Sequence, residues 1–337
     1  MDQPKESALA GASGHGGRMI EARRLFPGAP EPFIDLSTGI NPLPYPVPSI
    51  APSAWTRLPE PEEIAALEDA AAKAYGVAHA SMVVSLPGTQ LLISLLPRLF
   101  PQSPVVILSP TYGEYARSFA AAGSLVVQAR TLAGLADAPC AVICNPNNPD
   151  GRRFEAAALL EFLRERKTGG LVLIDESFAD LEEDGLSLAP YLPQSNLIVL
   201  RSLSKTYGLG GLRLGFALAN PDLVEAIRAA LGPWPISGPA IEIGRKALVD
   251  RAWLGVAKRR LHQDVGRLDR MLQRAGFSII GGTLLFRLAE GAAAPELFRR
   301  LGSAGILVRR FDTNPSWLRF GLPGSEAEWR RLTDSLA

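Results

Sequence analysis

The feature that most constrains this chain is the continuity of its short apolar runs. Val105-Val-Ile-Leu108, Ala141-Val-Ile-Cys144, Leu171-Val-Leu-Ile174 and Leu197-Ile-Val-Leu200 do not alternate apolar with polar residues. A strand with one solvated face alternates; an unbroken Val/Ile/Leu run is a strand covered on both faces, as in a parallel sheet flanked by helices. Helical patterns lie between the runs. Met82–Leu86 reads as strand and Gly88–Phe100 as helix, and Glu114–Ala122 and Glu155–Lys167 as further helices. Leu125–Ala129 and Leu214–Leu218 complete the strands. The alternation predicts an α/β fold.

Flanking segments differ in kind. Proline and glycine are dense from Gly14 to Pro52, notably in Ser37-Thr-Gly-Ile-Asn-Pro-Leu-Pro-Tyr-Pro-Val-Pro48. This is read as an ordered, extended arm in which proline excludes helix. Pro61–Tyr75 is a helix stopped by Gly76. Pro221–Leu231 is another, and Ile241–Ala275 is one long helical stretch with soft points at Gly244 and Gly255. A small α+β unit follows: strand Leu284–Leu288, helix Pro295–Ala304, strands Ile306–Val308 and Trp317–Phe320, helix Ser325–Leu336.

Composition narrows the partners. The chain has 337 residues with a formal net charge of +1 and interspersed signs, so nothing points to nucleic acid or an anionic membrane. It lacks the run of about 18 apolar residues that a membrane span requires. Cys140 and Cys144 are too few for a disulfide framework and fit a reduced, cytoplasmic setting. Met1–Gly14 is read as a loose tail, not a secretory signal. His15, His79 and His262 are too scattered for a metal site.

In an open parallel sheet, ligands bind beyond the carboxyl ends of the strands. Five strands here are followed by polar residues: Gly88-Thr89 opening a helix, Tyr112, Asn145–Asn148, Asp175, and Ser202-Leu-Ser204-Lys205 with Arg213 eight residues on. Lysine is scarce in this chain, and one between two serines at a strand end is poorly explained as surface charge. Gly88, Thr89, Ser202, Ser204 and Arg213 suit a phosphate. Lys205 can condense with an aldehyde, Asp175 can pair with a protonated ring nitrogen, Tyr112 can stack on a ring, and Asn148 can donate to a phenolate. Taken singly, Asp175 could cap a helix, Asn148 could serve a turn and Tyr112 could be a core aromatic. Pyridoxal 5′-phosphate has all of these features.

Together, Asn145-Pro-Asn-Asn-Pro-Asp-Gly151, Asp175-Glu176 and Ser202-x-Ser-Lys205 with Arg213 resemble the fold-type I pyridoxal-phosphate enzymes of the class I/II aminotransferase superfamily, most nearly the histidinol-phosphate aminotransferase branch. The resemblance implies a large cofactor-binding domain, residues 46–235, with a mostly parallel seven-stranded sheet. It also implies a smaller α+β domain, residues 236–337, joined by an N-terminal arm, residues 1–45, in a homodimer. It makes Lys205 the Schiff-base lysine, Asp175 the pyridine partner, Asn148 the ligand of the 3-hydroxyl and Tyr112 the stacking ring. Gly88, Thr89, Ser202, Ser204 and Arg213 hold phosphate. Arg319 matches the substrate-carboxylate arginine and Arg309 a second anion site; if Arg309 and Arg310 share a strand they point to opposite faces, and Arg309 is the one chosen.

Two positions depart from the family pattern. Phe178 stands where tyrosine is usual, which removes a hydrogen bond to the 3-hydroxyl. Leu58-Pro59 stands where Tyr-Pro is frequent. Conversely, His15-Gly-Gly17 and Ser37–Pro44, with Asn41, resemble the L-threonine O-3-phosphate decarboxylases of cobalamin biosynthesis, relatives of the aminotransferases. Three readings follow: such a decarboxylase, with His15, Asn41, Arg309 and Arg319 binding a small phosphorylated amino acid; a histidinol-phosphate-type aminotransferase; and a non-catalytic binding protein that keeps the fold.

Overall fold

The apolar runs are strands in the computed structural model, which describes residues 15–183 and 185–337; the expected loose tail lies outside the described residues. In chain order the strands are β1 (Ile34–Asp35), β2 (Val83–Leu86), β3 (Val105–Leu108), β4 (Val126–Ala129), β5 (Cys140–Cys144), β6 (Leu171–Asp175), β7 (Leu197–Ser202) and β8 (Gly215–Ala219). They continue with β9 (Ser278–Thr283), β10 (Phe286–Glu290), β11 (Ile306–Leu307), β12 (Arg309–Arg310) and β13 (Trp317–Phe320). The chain divides into two compact units. The larger holds Pro44–Asn148 and Arg152–Val256; the smaller holds the residues up to Leu43, Pro149–Gly151 and Ala257–Ala337.

The larger unit is built on a seven-stranded sheet of order β2-β8-β7-β6-β5-β3-β4. Pairing is parallel except at β8, which runs against both β7 and β2. Every residue of β5, β6, β7 and β8 is buried, because apolar layers cover both faces. Each fully buried Val, Leu or Ile contributes roughly 1.5–3 kcal/mol, so register is strongly held. Helix Pro61–Tyr75 begins on a capping box between Glu60 and Glu63 and ends on Gly76 in the left-handed conformation. Since β2, β3, β5, β6 and β7 run the same way, their carboxyl ends share one edge.

The smaller unit carries an antiparallel sheet of order β12-β13-β10-β9 and a parallel pair, β1 with β11. Helices Met19–Leu25, Ala294–Ser303 and Glu326–Leu336 belong to it.

Three expectations need correction. A helix occurs inside the stretch read as helix-free, and a second begins at its last residue. Met19–Leu25 contains no proline, with Glu21 in its first turn and arginines in its last, and Pro52–Thr56 uses its proline at the first helical position, where no N–H is needed. Ile241–Ala275 is two helices, Gly238–Val249 and Arg251–Arg274, broken at Asp250, whose carboxylate accepts the Trp253 amide at 2.9 Å. Strand β9 was missed because its half-exposed Ser-Ile-Ile-Gly-Gly-Thr has two glycines. A Cβ on Gly281 would lie 1.9 Å from the Asp150 carbonyl oxygen, so the backbone of the Asn145–Gly151 loop needs a bare strand there.

Candidate active site

Strand β2 ends at Leu86, and Gly88 then caps helix Thr89–Leu99 with a φ of 80°, which a side chain rarely tolerates. A Cβ there would come within 2.3 Å of Arg213 Nη2. The bare glycine is what lets the guanidinium lie against the helix N-terminus. Arg213 is itself left-handed, at φ 54°, and donates to the Gly210 carbonyl at 3.0 Å. On the neighbouring element Ser202 and Ser204 are buried, with the Ser204 amide donating to Ser202 Oγ at 3.3 Å. Oriented amides, a helix dipole, hydroxyls and a guanidinium could cradle a phosphate.

At the end of β6, Asp175 is 7% exposed. Its Oδ1 accepts the Ser177 amide at 2.9 Å and the Ser177 hydroxyl at 2.5 Å, and its Oδ2 accepts the Tyr115 hydroxyl at 2.7 Å. A carboxylate has about four acceptor positions, so one more donor can be taken. The adjacent Glu176 points elsewhere, as alternation along an extended chain requires. It is fully buried and accepts from Arg201 at 2.9 Å, Ser187 at 2.5 Å and the Leu188 amide at 2.8 Å. Arg201 also pairs with Asp180 and lies 4.4 Å over the Tyr75 ring. Asp175-Glu176 and Arg201-Ser202 thus each split into a candidate site residue and a structural one.

Tyr112 is half-buried, its hydroxyl donating to Gln90 Oε1 at 3.0 Å and its ring edge-on to Tyr115 at 6.2 Å. Burial, reinforced by Glu114 and Asp175, pushes its phenol up to about 12. In the Asn145–Asn148 loop two amides are structural. Asn145 exchanges two hydrogen bonds with the Phe154 backbone, and Asn147 donates to the Pro110 carbonyl at 2.8 Å while accepting from Thr111 at 2.6 Å. Asn148 follows, half-buried. Lys205 sits in the short helix Leu203–Thr206, its Nζ 5.6 Å from the centroid of the buried Phe178 ring. These residues fit pyridoxal phosphate: a cradle that a Cβ would fill, a carboxylate with acceptor capacity left, and an amine beside an apolar ring.

In the smaller unit, Arg309 and Arg319 are direct partners across β12 and β13. Arg310 turns to the other side, pairing with Asp312 at 3.0 Å and lying over Phe298. Arg319 is 5% exposed and donates to the Ser37 carbonyl at 2.6 Å. Burial, with Arg309 beside it, pushes its guanidinium down to about 10. Ser37 joins the arm to this pair, because its Oγ accepts the Gly17 amide at 2.8 Å and donates to Asp35 at 2.6 Å. His15 is half-buried at the start of that arm. Buried Asn41 accepts Arg260 at 2.5 Å and the Leu43 amide at 3.1 Å on its side-chain oxygen. Sequence reasoning missed Tyr115, Ser177, Gln90 and Arg260, which act on site residues from 2 to 219 positions away. Only Ser177, two past Asp175, carried a local signal, the Asx turn.

A model of the family described as aminotransferase class I and II matches residues 33–336. A threonine-phosphate decarboxylase of Sinorhizobium sp is 45% identical over 96% of this chain and 97% of its own length. The threonine-phosphate decarboxylase of Pseudomonas aeruginosa is 41% identical over 96% of each chain. Among solved structures, a histidinol-phosphate aminotransferase from Sinorhizobium meliloti in complex with pyridoxal-5′-phosphate superposes with a TM-score of 0.76 at 20% identity, covering 95% of this chain and 96% of that one. The last is a likeness of fold.

Proposed function

Because the chain belongs to the class I and II aminotransferase family, we propose that it is a pyridoxal 5′-phosphate-dependent decarboxylase. Its reaction in this reading converts L-threonine O-3-phosphate to (R)-1-amino-2-propanol O-2-phosphate, a step of cobalamin biosynthesis. The observation that carries the reading is the likeness to two threonine-phosphate decarboxylases along nearly the whole chain, arm included.

The bound cofactor supplies an electron sink for whichever bond at Cα stands perpendicular to its ring. Gly88, Thr89, Ser202, Ser204 and Arg213 would hold its phosphate, Asp175 its ring nitrogen, Asn148 its 3-hydroxyl and Tyr112 its ring face. Lys205 would hold the cofactor's aldehyde and supply the proton that replaces the carboxylate at Cα. Net, a carboxylate leaves as CO2 and a proton replaces it. The substrate carries two anions, and Arg319 and Arg309 are assigned to its carboxylate and phosphate, with His15 and Asn41 as further contacts. Bidentate guanidinium contacts suit both groups, and holding both ends lets the protein choose which Cα bond is turned out of the ring plane.

Among the described residues no helix is long and apolar enough to cross a membrane. With Cys140 and Cys144 buried and free, we place the enzyme in the cytoplasm, as a homodimer in keeping with its family.

The test is incubation with O-phospho-L-threonine and pyridoxal phosphate without any 2-oxo acid. Carbon dioxide and aminopropanol phosphate are expected in equal amounts; strict dependence on 2-oxoglutarate would replace this reading with a transaminase.

A further inference from the structure

Tyr115 lies in the first turn of helix Glu114–Ala121 and is completely buried. Its hydroxyl donates to Asp175 Oδ2 at 2.7 Å across 60 positions of sequence. Ser177 serves the other oxygen from the turn after β6, by its hydroxyl and its amide. Two elements therefore grip the two carboxylate oxygens, which fixes the rotation of the carboxylate plane. Burial, and then Asp175 itself, push the Tyr115 phenol far above its ordinary range, so it stays a donor. The preceding residues reach other parts of the site: Thr111 donates to Asn147 and Tyr112 to Gln90, beside the phosphate cradle.

We infer that Tyr115 is a positioning residue for the ring-nitrogen partner: its hydroxyl holds Asp175 aimed, and so sets how firmly the protein grips a protonated pyridine nitrogen. This rests on pyridoxal phosphate being the cofactor. Tyr115 touches neither substrate nor cofactor in this assignment; it acts through Asp175. Ser177 secures the opposite oxygen and cannot replace the Tyr115 contact, because its two donors are spent on Oδ1.

The test is Tyr115→Phe, which keeps the ring and its packing and deletes only the hydroxyl. Apoprotein is titrated with pyridoxal 5′-phosphate and, separately, with its deaza analogue, in which a C–H replaces the ring nitrogen. Hydrogen bonds to charged groups imply that the variant binds pyridoxal phosphate about 10- to 100-fold more weakly. Binding of the analogue, which has no ring N–H to engage, is expected to change little. With the holoenzyme, kcat for O-phospho-L-threonine should fall while KM holds. Tyr115→His, which restores an N–H donor, should recover part of the selectivity for pyridoxal phosphate over the analogue. Equal losses for the two ligands would make Tyr115 a packing residue and overturn the inference, as would wild-type affinity in Tyr115→Phe. A wild-type apoprotein that takes up no pyridoxal phosphate would overturn the cofactor reading itself, and so distinguishes the two failures.

Discussion

Arg309 and Arg319 stand directly opposite each other in the antiparallel ladder of β12 and β13, which puts two guanidinium side chains on one face of the sheet. Like charges so placed destabilise each other, and an anion between them relieves the repulsion. Inorganic sulfate or phosphate should therefore raise the thermal midpoint of the wild type, and raise it less in Arg309→Gln. For Arg319→Gln, losing a buried charged contact implies a drop in kcat/KM of about 100- to 1,000-fold. Unchanged kcat/KM would remove Arg319 from the substrate site.

The low position of Arg319 gives a pH dependence. Its folded-state value, about 10, lies below the ordinary 12.5 because burial and Arg309 oppose the charge. Between those two values the unfolded chain binds more protons, so this group makes stability rise with pH there, and its full cost applies below about 10. Anion binding needs the charged form, so it should be constant at neutral pH and weaken as pH passes through about 10. Isothermal titration with phosphate across pH 8–11, wild type against Arg319→Gln, measures this; a flat profile in the wild type would mean the guanidinium keeps its charge.

Gly88 tests the cradle. Gly88→Ala places a methyl where Arg213 Nη2 lies and forces a side chain into left-handed φ, at about 1–2 kcal/mol for the backbone alone. Cofactor affinity should fall at least about tenfold, with a smaller loss in thermal midpoint. A variant that binds cofactor normally would place the phosphate elsewhere.

Much of this architecture is legible in the sequence, and what is hidden is hidden for physical reasons. Unbroken apolar runs identify β3, β5, β6 and β7 because burial on both faces leaves no other composition for them. The polar residues after those runs collect at one edge because the strands are parallel. Strand β9 escapes notice because packing against Asp150 demands glycine where a strand favours branched side chains. The contact of Tyr115 with Asp175, and that of Arg260 with Asn41, join residues from distant segments, so no local pattern records them. The division of labour between Arg201 and Ser202 follows from alternation, once Arg201 is known to sit on a strand.

Lys205→Ala should abolish covalent attachment of the cofactor, read as loss of borohydride-fixed pyridoxyl label, and should cost at least about 100- to 10,000-fold in kcat, the range for a lost proton-transfer group. Turnover within a few-fold of wild type would mean that another lysine carries the cofactor.

Arg201→Met separates the structural half of the Arg201–Lys205 stretch from its functional half. Arg201 is buried with Glu176 and Asp180, its side chain 6% exposed and theirs 0% and 5%. Removing one member of a buried ion network leaves uncompensated charge and costs about 3–5 kcal/mol. The variant should therefore unfold at a clearly lower temperature while any folded fraction keeps its pyridoxal phosphate affinity, since Arg201 donates to none of the cradle residues. Ser202→Ala, one residue on, should do the reverse: stability near wild type and weaker cofactor binding. Parallel measurement of thermal midpoint and cofactor affinity on the two variants checks this, and a loss of affinity in Arg201→Met at temperatures where it is fully folded would show that the ion network also shapes the cradle.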